Sequence, residues 1–268
     1  MPVAIARTRW IGALAALLVL GACASTEEEY VEQSVEHLYN QGMDALQDGS
    51  YKTAAKAFDE VERQHPYSLW ATKAQLMAAY AHYEDGKYDD AIAALDRYIQ
   101  LHPGSPEVSY AYYLKALCYY EQISDVARDQ SFTTAAMRSL QEVVDRFPTS
   151  AYARDARLKI ELARDHLAGK EMTIGRYYLR QKHFLAAINR FKNVVDHYQT
   201  TTHVPEALHR LSEAYYSLGL VEEARKTAAV LGHNYPGSQW YVDAYALVED
   251  PSVRPRKDDG WFDWLKFW

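Results

Sequence analysis

The sequence predicts an all-α fold, a superhelical array of five stacked helix pairs. In five segments an alanine is followed by apolar residues four and seven positions later, which places all three on one face of a helix. Four of these segments end in proline, which closes a helix because it cannot continue the hydrogen-bond ladder. The 12 glycines and 9 prolines among 268 residues are too few for a β-sandwich or barrel, which needs a turn roughly every 8–12 residues.

The composition excludes several other classes of protein. Hydrophobic residues make up 49% of the chain and charged residues 24%, which excludes an intrinsically disordered chain. Two cysteines are too few for a disulfide scaffold or a cysteine-rich zinc site. The net charge of −7 argues against nucleic acid as a partner, because phosphate binding needs clustered lysines and arginines. The sequence lacks the metalloprotease, serine-hydrolase, P-loop and dinucleotide-binding motifs, so we expect no enzyme, no metal and no cofactor.

The first element is an export signal over residues 1–22. Arg7 and Arg9 form a short basic start, and an uncharged, mostly apolar run follows from Trp10 to Leu20. That run is too short to span a bilayer, which needs about 20 residues, but it suits the apolar region of a secretory signal peptide. We therefore expect residues 1–22 to be cleaved.

An acylation site follows the apolar run. The segment Leu20-Gly21-Ala22-Cys23 resembles the lipobox of bacterial lipoproteins, which implies that Cys23 is acylated and becomes the mature N-terminus. Several acyl chains on one residue anchor a protein stably. Residue 24 is alanine rather than aspartate, which by resemblance to the bacterial sorting rule implies the outer membrane, with the protein facing the periplasm. Residues 23–34 are then the acylated cysteine and a polar linker.

The repeats define the helical elements in order. Their pattern resembles the tetratricopeptide (TPR) repeat, with an alanine twelve residues before the closing proline. The five alanines are Ala54, Ala91, Ala136, Ala187 and Ala224, and the copy with Ala187 has Gln199 in place of proline. Repeats 1, 2, 4 and 5 are predicted over 35–68, 72–105, 168–201 and 205–238. Small residues at the helix crossing, where two helices approach closely, are Gly42, Ala79, Gly175 and Ser212.

The third repeat departs from this pattern and divides the chain. Residues 35–105 hold repeats 1 and 2, and residues 106–150 hold repeat 3, with about eight extra residues around 124–130. Residues 151–250 begin with an extended helix over 151–182 and hold repeats 4 and 5. The sequence leaves open whether Gly169 kinks that helix.

A groove is the expected binding surface of such an array, because the first helices of successive repeats line its concave wall. Tyrosine offers apolar area and a hydroxyl at low entropic cost, which suits peptide binding. The predicted groove-facing residues are Tyr39, Met43, Leu46, Leu76, Tyr80, Tyr83, Tyr113, Leu117 and Tyr120. For any single residue, an ordinary place in the core between repeats is an equally good interpretation.

Two further features have separate interpretations. Cys118 lies in an apolar segment and is expected to be buried and inert, because a reactive thiol needs an electropositive, partly exposed setting. Residues 251–268 form a linker rich in proline and charge, followed by an aromatic tail at 261–268. The tail could dock on the array, on a partner or at the membrane interface, where tryptophan is favoured.

The lipobox, the five TPR units and the lengthened third repeat together resemble the BamD family of lipoproteins, which belong to the outer-membrane β-barrel assembly (Bam) machinery. Local matches support the resemblance. They are His-Pro-Tyr-Ser at 65–68, the helix end at 95–103, Arg128-Asp129, and Ala-Ile-Asn-Arg-Phe at 187–191. The family usually has Tyr-Pro where this chain has His65-Pro66.

The resemblance implies a non-enzymatic assembly factor. Its C-terminal half would contact the POTRA domains of BamA through Arg190 and the neighbouring Asn189. Its N-terminal groove would receive the C-terminal signal of unfolded outer-membrane barrel proteins, and other Bam lipoproteins would bind elsewhere. The alternative is a TPR lipoprotein that serves another envelope complex, such as peptidoglycan enzymes or pilus secretin assembly. The insertion and the extended helix favour the first interpretation, because a plain TPR array needs neither.

Overall fold

The computed structural model describes residues 32–249, and throughout that range the regular structure is α-helical, without a strand. The all-α prediction is therefore confirmed. The helices are α1 Val35–Gln47, α2 Tyr51–Gln64, α3 Leu69–Glu84, α4 Tyr88–Leu101, α5 Val108–Tyr120, α6 Ser131–Arg146, α7 Ala151–Arg180, α8 Phe184–His197, α9 Val204–Ser217, α10 Val221–Asn234 and α11 Gln239–Glu249. The predicted signal peptide, Cys23 and the tail 251–268 lie outside the described residues.

The helices pair in the predicted TPR register. The five repeat alanines, Ala54, Ala91, Ala136, Ala187 and Ala224, are completely buried. The bulky residues four positions later in the first and fourth repeats, Phe58 and Phe191, are completely buried as well. Each second helix therefore presents one apolar face to its first helix, as the spacing predicts.

Small residues allow the close crossings within each pair. A Cβ atom on Gly42 would lie 2.6 Å from the ring of Phe58, and one on Gly175 would lie 2.5 Å from the ring of Phe191. At the same position of the fifth repeat, the Ser212 hydroxyl is buried and donates to the carbonyl of Ala224 at 2.8 Å. The crossing residues predicted from sequence thus hold that place in the packing.

The turns inside the helix pairs use a left-handed backbone. Gly49, Gly86 and Gly219 have φ of +71°, +70° and +76°, a conformation that glycine adopts without steric cost. In the fourth repeat the same turn places Lys182 at φ 60°. Ser34, Ser68 and Ser150 cap α1, α3 and α7, because each serine hydroxyl accepts from a backbone N–H three residues later.

Helix α7 is one continuous helix of 30 residues, with Gly169 inside it. Ala156 and Ile160 in its first half pack in the core of the third repeat. Ala168 and Met172 in its second half pack in the core of the C-terminal repeats. The third-repeat core therefore extends beyond residue 150, and α7 belongs to both halves of the array.

The insertion between α5 and α6 is fastened to α7. The Lys170 ammonium donates to the carbonyls of Ala127 and Arg128 at 2.9 and 3.0 Å. The His166 ring lies 3.1 Å from the Gln130 side-chain oxygen, measured from Nδ1. The extra residues thus form a loop held against the long helix.

A closing helix that the sequence did not predict follows the fifth repeat. Helix α11 packs on α9 and α10 and buries Ala244, Leu247 and Val248. The Tyr241 ring lies against Gly232 of α10, where a Cβ atom would come within 2.4 Å of it. This helix covers the apolar end of the last repeat.

The packing shows which side of the array is concave. The first helices contact one another from α1 to α3, α5, α7 and α9. Among the described helices, no corresponding contact joins α2 to α4, α4 to α6 or α6 to α8. The first helices therefore lie closer together and form the inner wall.

Candidate functional site

The nine predicted groove residues lie on the inner helices α1, α3 and α5, and we call this surface the tyrosine wall. Eight of the nine side chains are half-buried, which leaves part of each open to a ligand. Leu76 differs: it is 7% exposed and packs in the core of the second repeat, so it offers a ligand little surface.

The first-repeat part of the wall is held from behind by aromatic packing. The Tyr39 ring meets Phe58 edge-on at 5.4 Å between centroids, and its centroid lies 4.7 Å from that of Trp70. Met43 and Leu46 pack against the core of the same repeat. These contacts order the three side chains before any ligand arrives.

The centre of the wall is a run of tyrosine rings. The Tyr80 and Tyr83 rings stack at 6.5 Å, and Tyr83 meets Tyr88 at 5.8 Å. On the next helices, Tyr152 of α7 lies 5.2 Å from Tyr113 and 5.5 Å from Tyr110. Sequence reasoning missed Tyr88, Tyr110 and Tyr152. Of these, Tyr110 could have been predicted from the sequence, because Tyr110 lies one helical turn before Tyr113.

Burial raises the pKa of several of these phenols further above the physiological range. It raises the pKa of Tyr83 to about 12, with the nearby Glu121 carboxylate adding to the effect. Burial also raises the pKa of Tyr110 and of Tyr113. The Tyr113 hydroxyl donates to the Asp155 carboxylate, which raises its pKa further. The wall thus offers apolar ring faces together with neutral hydroxyls, a combination that suits an apolar peptide with carbonyl groups to satisfy.

The far end of the wall continues onto α7. The Lys159 ammonium lies 4.8 Å above the Tyr120 ring, and Leu117 is half-buried against the neighbouring core. An open pocket of about 290 Å³ lies beside Tyr120, lined also by Ile123, Leu162 and His166. The groove therefore does not stop at the third repeat.

A second candidate surface surrounds Arg190, and we call it the Arg190 pocket. It is an open depression of about 460 Å³ between α7 and α8, and both predicted partner residues, Asn189 and Arg190, line it. The Arg190 guanidinium pairs with Glu171 of α7 at 3.2 Å, while its side chain keeps 41% of its surface exposed. Tyr178 and Asp196 complete a rim of mixed charge. Sequence reasoning missed Glu171 and Tyr178, which lie on another helix.

Reactive groups are scarce in the described part of the chain. Between residues 32 and 249, no cluster of three or more histidine, cysteine, aspartate or glutamate side chains is arranged to hold a metal ion. Cys118 is completely buried, as predicted, and burial raises the pKa of its thiol to about 12. None of the helices in this range has both the length and the apolar character required to cross a bilayer.

Comparison with known proteins identifies the family. Residues 31–231 match the family model YfiO, described as an outer membrane lipoprotein. The outer membrane protein assembly factor BamD of Caulobacter vibrioides is 52% identical, over 90% of this chain and 82% of the relative. BamD of Rickettsia prowazekii is 47% identical over 91% of this chain and 98% of the relative. BamD of Neisseria meningitidis (strain Z2491) is 34% identical, over 94% of this chain and 96% of the relative.

Among solved structures, the TPR2AB domain of yeast Sti1 in its pHSP90 complex is similar, with a TM-score of 0.43. The identity is 13%, and the match covers 80% of this chain and 83% of that chain. That likeness is too distant to indicate a function. The family model covers repeats 1 to 4 and both candidate surfaces, and each of the three relatives aligns with at least 90% of this chain. The chain belongs to the BamD family of outer-membrane protein assembly factors.

Proposed function

We propose that this chain is a non-enzymatic component of the Bam complex that promotes the folding and insertion of outer-membrane β-barrel proteins. The observation that carries the proposal is the 52% identity to an outer membrane protein assembly factor over 90% of the chain. The alternative envelope scaffold, for peptidoglycan enzymes or a pilus secretin, is not favoured, because the named relatives are assembly factors.

The protein is anchored to the outer membrane through acyl chains on Cys23 and faces the periplasm. The lipobox and the family description as an outer membrane lipoprotein support this step. The Cys23→Ala variant removes the acylated sulfur and is expected to leave the outer-membrane fraction. Unchanged outer-membrane fractionation of that variant would contradict the anchor.

Unfolded barrel proteins bind at the tyrosine wall. The ring faces of Tyr80, Tyr83 and Tyr113 can cover apolar side chains. The Tyr83 hydroxyl can donate to a backbone carbonyl or a terminal carboxylate, whereas the Tyr80 and Tyr113 hydroxyls already donate to Glu84 and Asp155 and can accept from a peptide N–H. The half-buried packing of Tyr39 and Leu46 lowers the entropic cost of binding, because these side chains are already ordered.

BamA binds at the Arg190 pocket through a POTRA domain. Arg190 is half-exposed and has one carboxylate partner, Glu171, so a second carboxylate from a partner can share its guanidinium. Asn189 is exposed beside it and can donate or accept at the rim. Other Bam lipoproteins complete the complex elsewhere on the array.

Charge reversal at one arginine tests the proposal. Arg190→Glu places a carboxylate beside Glu171 and is expected to weaken co-purification with BamA by about tenfold or more in mild detergent. Arg63→Glu is the matched control, because Arg63 is also a half-exposed arginine paired with a glutamate, Glu60. Binding of a peptide with a C-terminal aromatic residue is expected to survive both changes. Equal BamA recovery from the two variants would remove Arg190 from the interface.

A further inference from the structure

The turn between α2 and α3 carries large apolar side chains in water. Tyr67 is fully exposed, Leu69 is 90% exposed and Trp70 is partly exposed at the start of α3. We call residues 67–70 the aromatic turn. Single exposed apolar residues are ordinary on a protein surface, but three within four positions form a patch that indicates a covering partner.

The N-terminal segment joins the fold at the base of this turn. The backbone N–H of Gln33 donates to the Gln64 side-chain oxygen at 2.8 Å, and the His65 ring contacts the carbonyl of Gln33 at 2.7 Å through Nε2. His65 precedes Tyr67 by two residues. The chain arriving from its anchor is therefore tied to the protein directly beside the aromatic turn.

The tether is short. Cys23 lies ten residues before Gln33, and ten residues span at most about 35 Å even when fully extended. The proposed acyl chains, and the bilayer that holds them, are thus confined to within that distance of the point where the aromatic turn begins.

We propose that the aromatic turn inserts into the headgroup region of the phospholipid bilayer that holds the acyl chains of Cys23. This inference depends on the lipid anchor of the proposed function. Tyrosine and tryptophan prefer the interface between headgroups and acyl chains, and Leu69 adds an apolar side chain beside them. The Lys73 ammonium lies 5.6 Å from the Trp70 ring centroid, where it can reach lipid phosphate while its stem follows the apolar surface.

Apolar insertion, rather than charge, holds the turn at the bilayer. The linker contains Glu27, Glu28 and Glu29, which oppose attraction to an anionic surface. A second contact point also orients the array with its first repeat towards the membrane, which a single point of attachment does not do. The aromatic turn is therefore a lipid contact that positions the tyrosine wall near the bilayer.

A spin label at Leu69 tests this placement in the acylated full-length mature protein. Cys118 is completely buried with a neutral thiol and Cys23 carries lipid, so Leu69→Cys supplies the labelling site for a nitroxide. Leu185→Cys is the matched control, because Leu185 is also a strongly exposed leucine and lies at the opposite edge of the array, in the first turn of α8. Both proteins are placed on vesicles of phosphatidylethanolamine and phosphatidylglycerol.

The expected result is that the label at 69 collides more with dissolved oxygen and at least about threefold less with a water-soluble nickel chelate than the label at 185, because the interface excludes the chelate. Equal nickel accessibility at the two sites, in protein that floats with the vesicles, would overturn the inference and leave the anchor standing. Protein that fails to float with the vesicles would overturn both. Protection at 69 that requires added BamA would show that the turn is a protein interface, and would overturn the lipid contact.

Discussion

Replacing Gly175 by alanine is expected to destabilise the protein, although alanine is the better helix former. Gly175 lies inside α7 and faces Phe191 of α8. An alanine Cβ would lie 2.5 Å from Cε1 of that ring and 2.9 Å from Cδ1 and Cζ. Because Phe191 is completely buried among the cores of the C-terminal repeats, its ring cannot move aside without disturbing its neighbours.

The magnitude follows from two opposed effects. Glycine to alanine inside a helix gains about 1 kcal/mol through helix propensity. Overpacking a well-filled core costs about 1–3 kcal/mol, and contacts this short belong at the upper end of that range. The expected net loss in the free energy of unfolding is therefore about 2 kcal/mol.

Urea unfolding followed by circular dichroism measures the difference. Gly104→Ala is the matched control, because a Cβ there meets no atom within 4 Å and the backbone does not need glycine. The control is expected to change stability by less than about 0.5 kcal/mol. A Gly175→Ala protein as stable as the parent, or more stable, would refute the claim that the crossing of α7 and α8 needs glycine.

Two other predictions concern a buried thiol and a strained turn. Cys118 is expected to resist thiol reagents in the folded protein and to react after denaturation. Burial raises the pKa of this thiol from about 9 to about 12, so the unfolded chain loses the thiol proton at a lower pH than the folded protein does. The free energy of unfolding therefore falls as pH rises through that window. Urea midpoints compared at about pH 8 and about pH 10 should show the fall. Lys182→Gly is expected to stabilise the chain by about 0.5 kcal/mol, because φ 60° disfavours a side chain. Gly219→Ala is expected to destabilise it by about 1 kcal/mol. Melting temperatures that shift in the same direction for both variants would contradict this account.

The repeat register was predictable because the same packing problem recurs along the chain. Each second helix must bury one face against its first helix, so alanine and the apolar residues return at the same spacing. Helix α11 has no earlier copy in the sequence to be compared with. Its buried residues Ala244, Leu247 and Val248 acquire their role only from the exposed end of α9 and α10. The periodicity of the sequence therefore could not predict this tertiary contact.

The tyrosine wall was predictable in part for the same reason. Helix position alone places Tyr80, Tyr83 and Tyr113 on the inner side of the array. Tyr152 escaped prediction because it lies in the first turn of α7, after the irregular insertion, where the repeat spacing no longer gives the phase of the helix. Likewise, Arg190 was identified by family resemblance, but its partner Glu171 lies 19 residues away on a different helix. Only the fold brings that pair together.

The continuity of α7 links the two candidate surfaces mechanically. Asp155, which accepts from Tyr113 of the tyrosine wall, and Glu171, which pairs with Arg190, lie on this one helix. At 1.5 Å of rise per residue, their separation of sixteen positions places the two residues about 24 Å apart along the axis. Helix α7 continues through Gly169, which is buried, so one continuous hydrogen-bonded helix sets this spacing. Under the proposed function, a substrate at the tyrosine wall and BamA at the Arg190 pocket would therefore be held at a fixed separation.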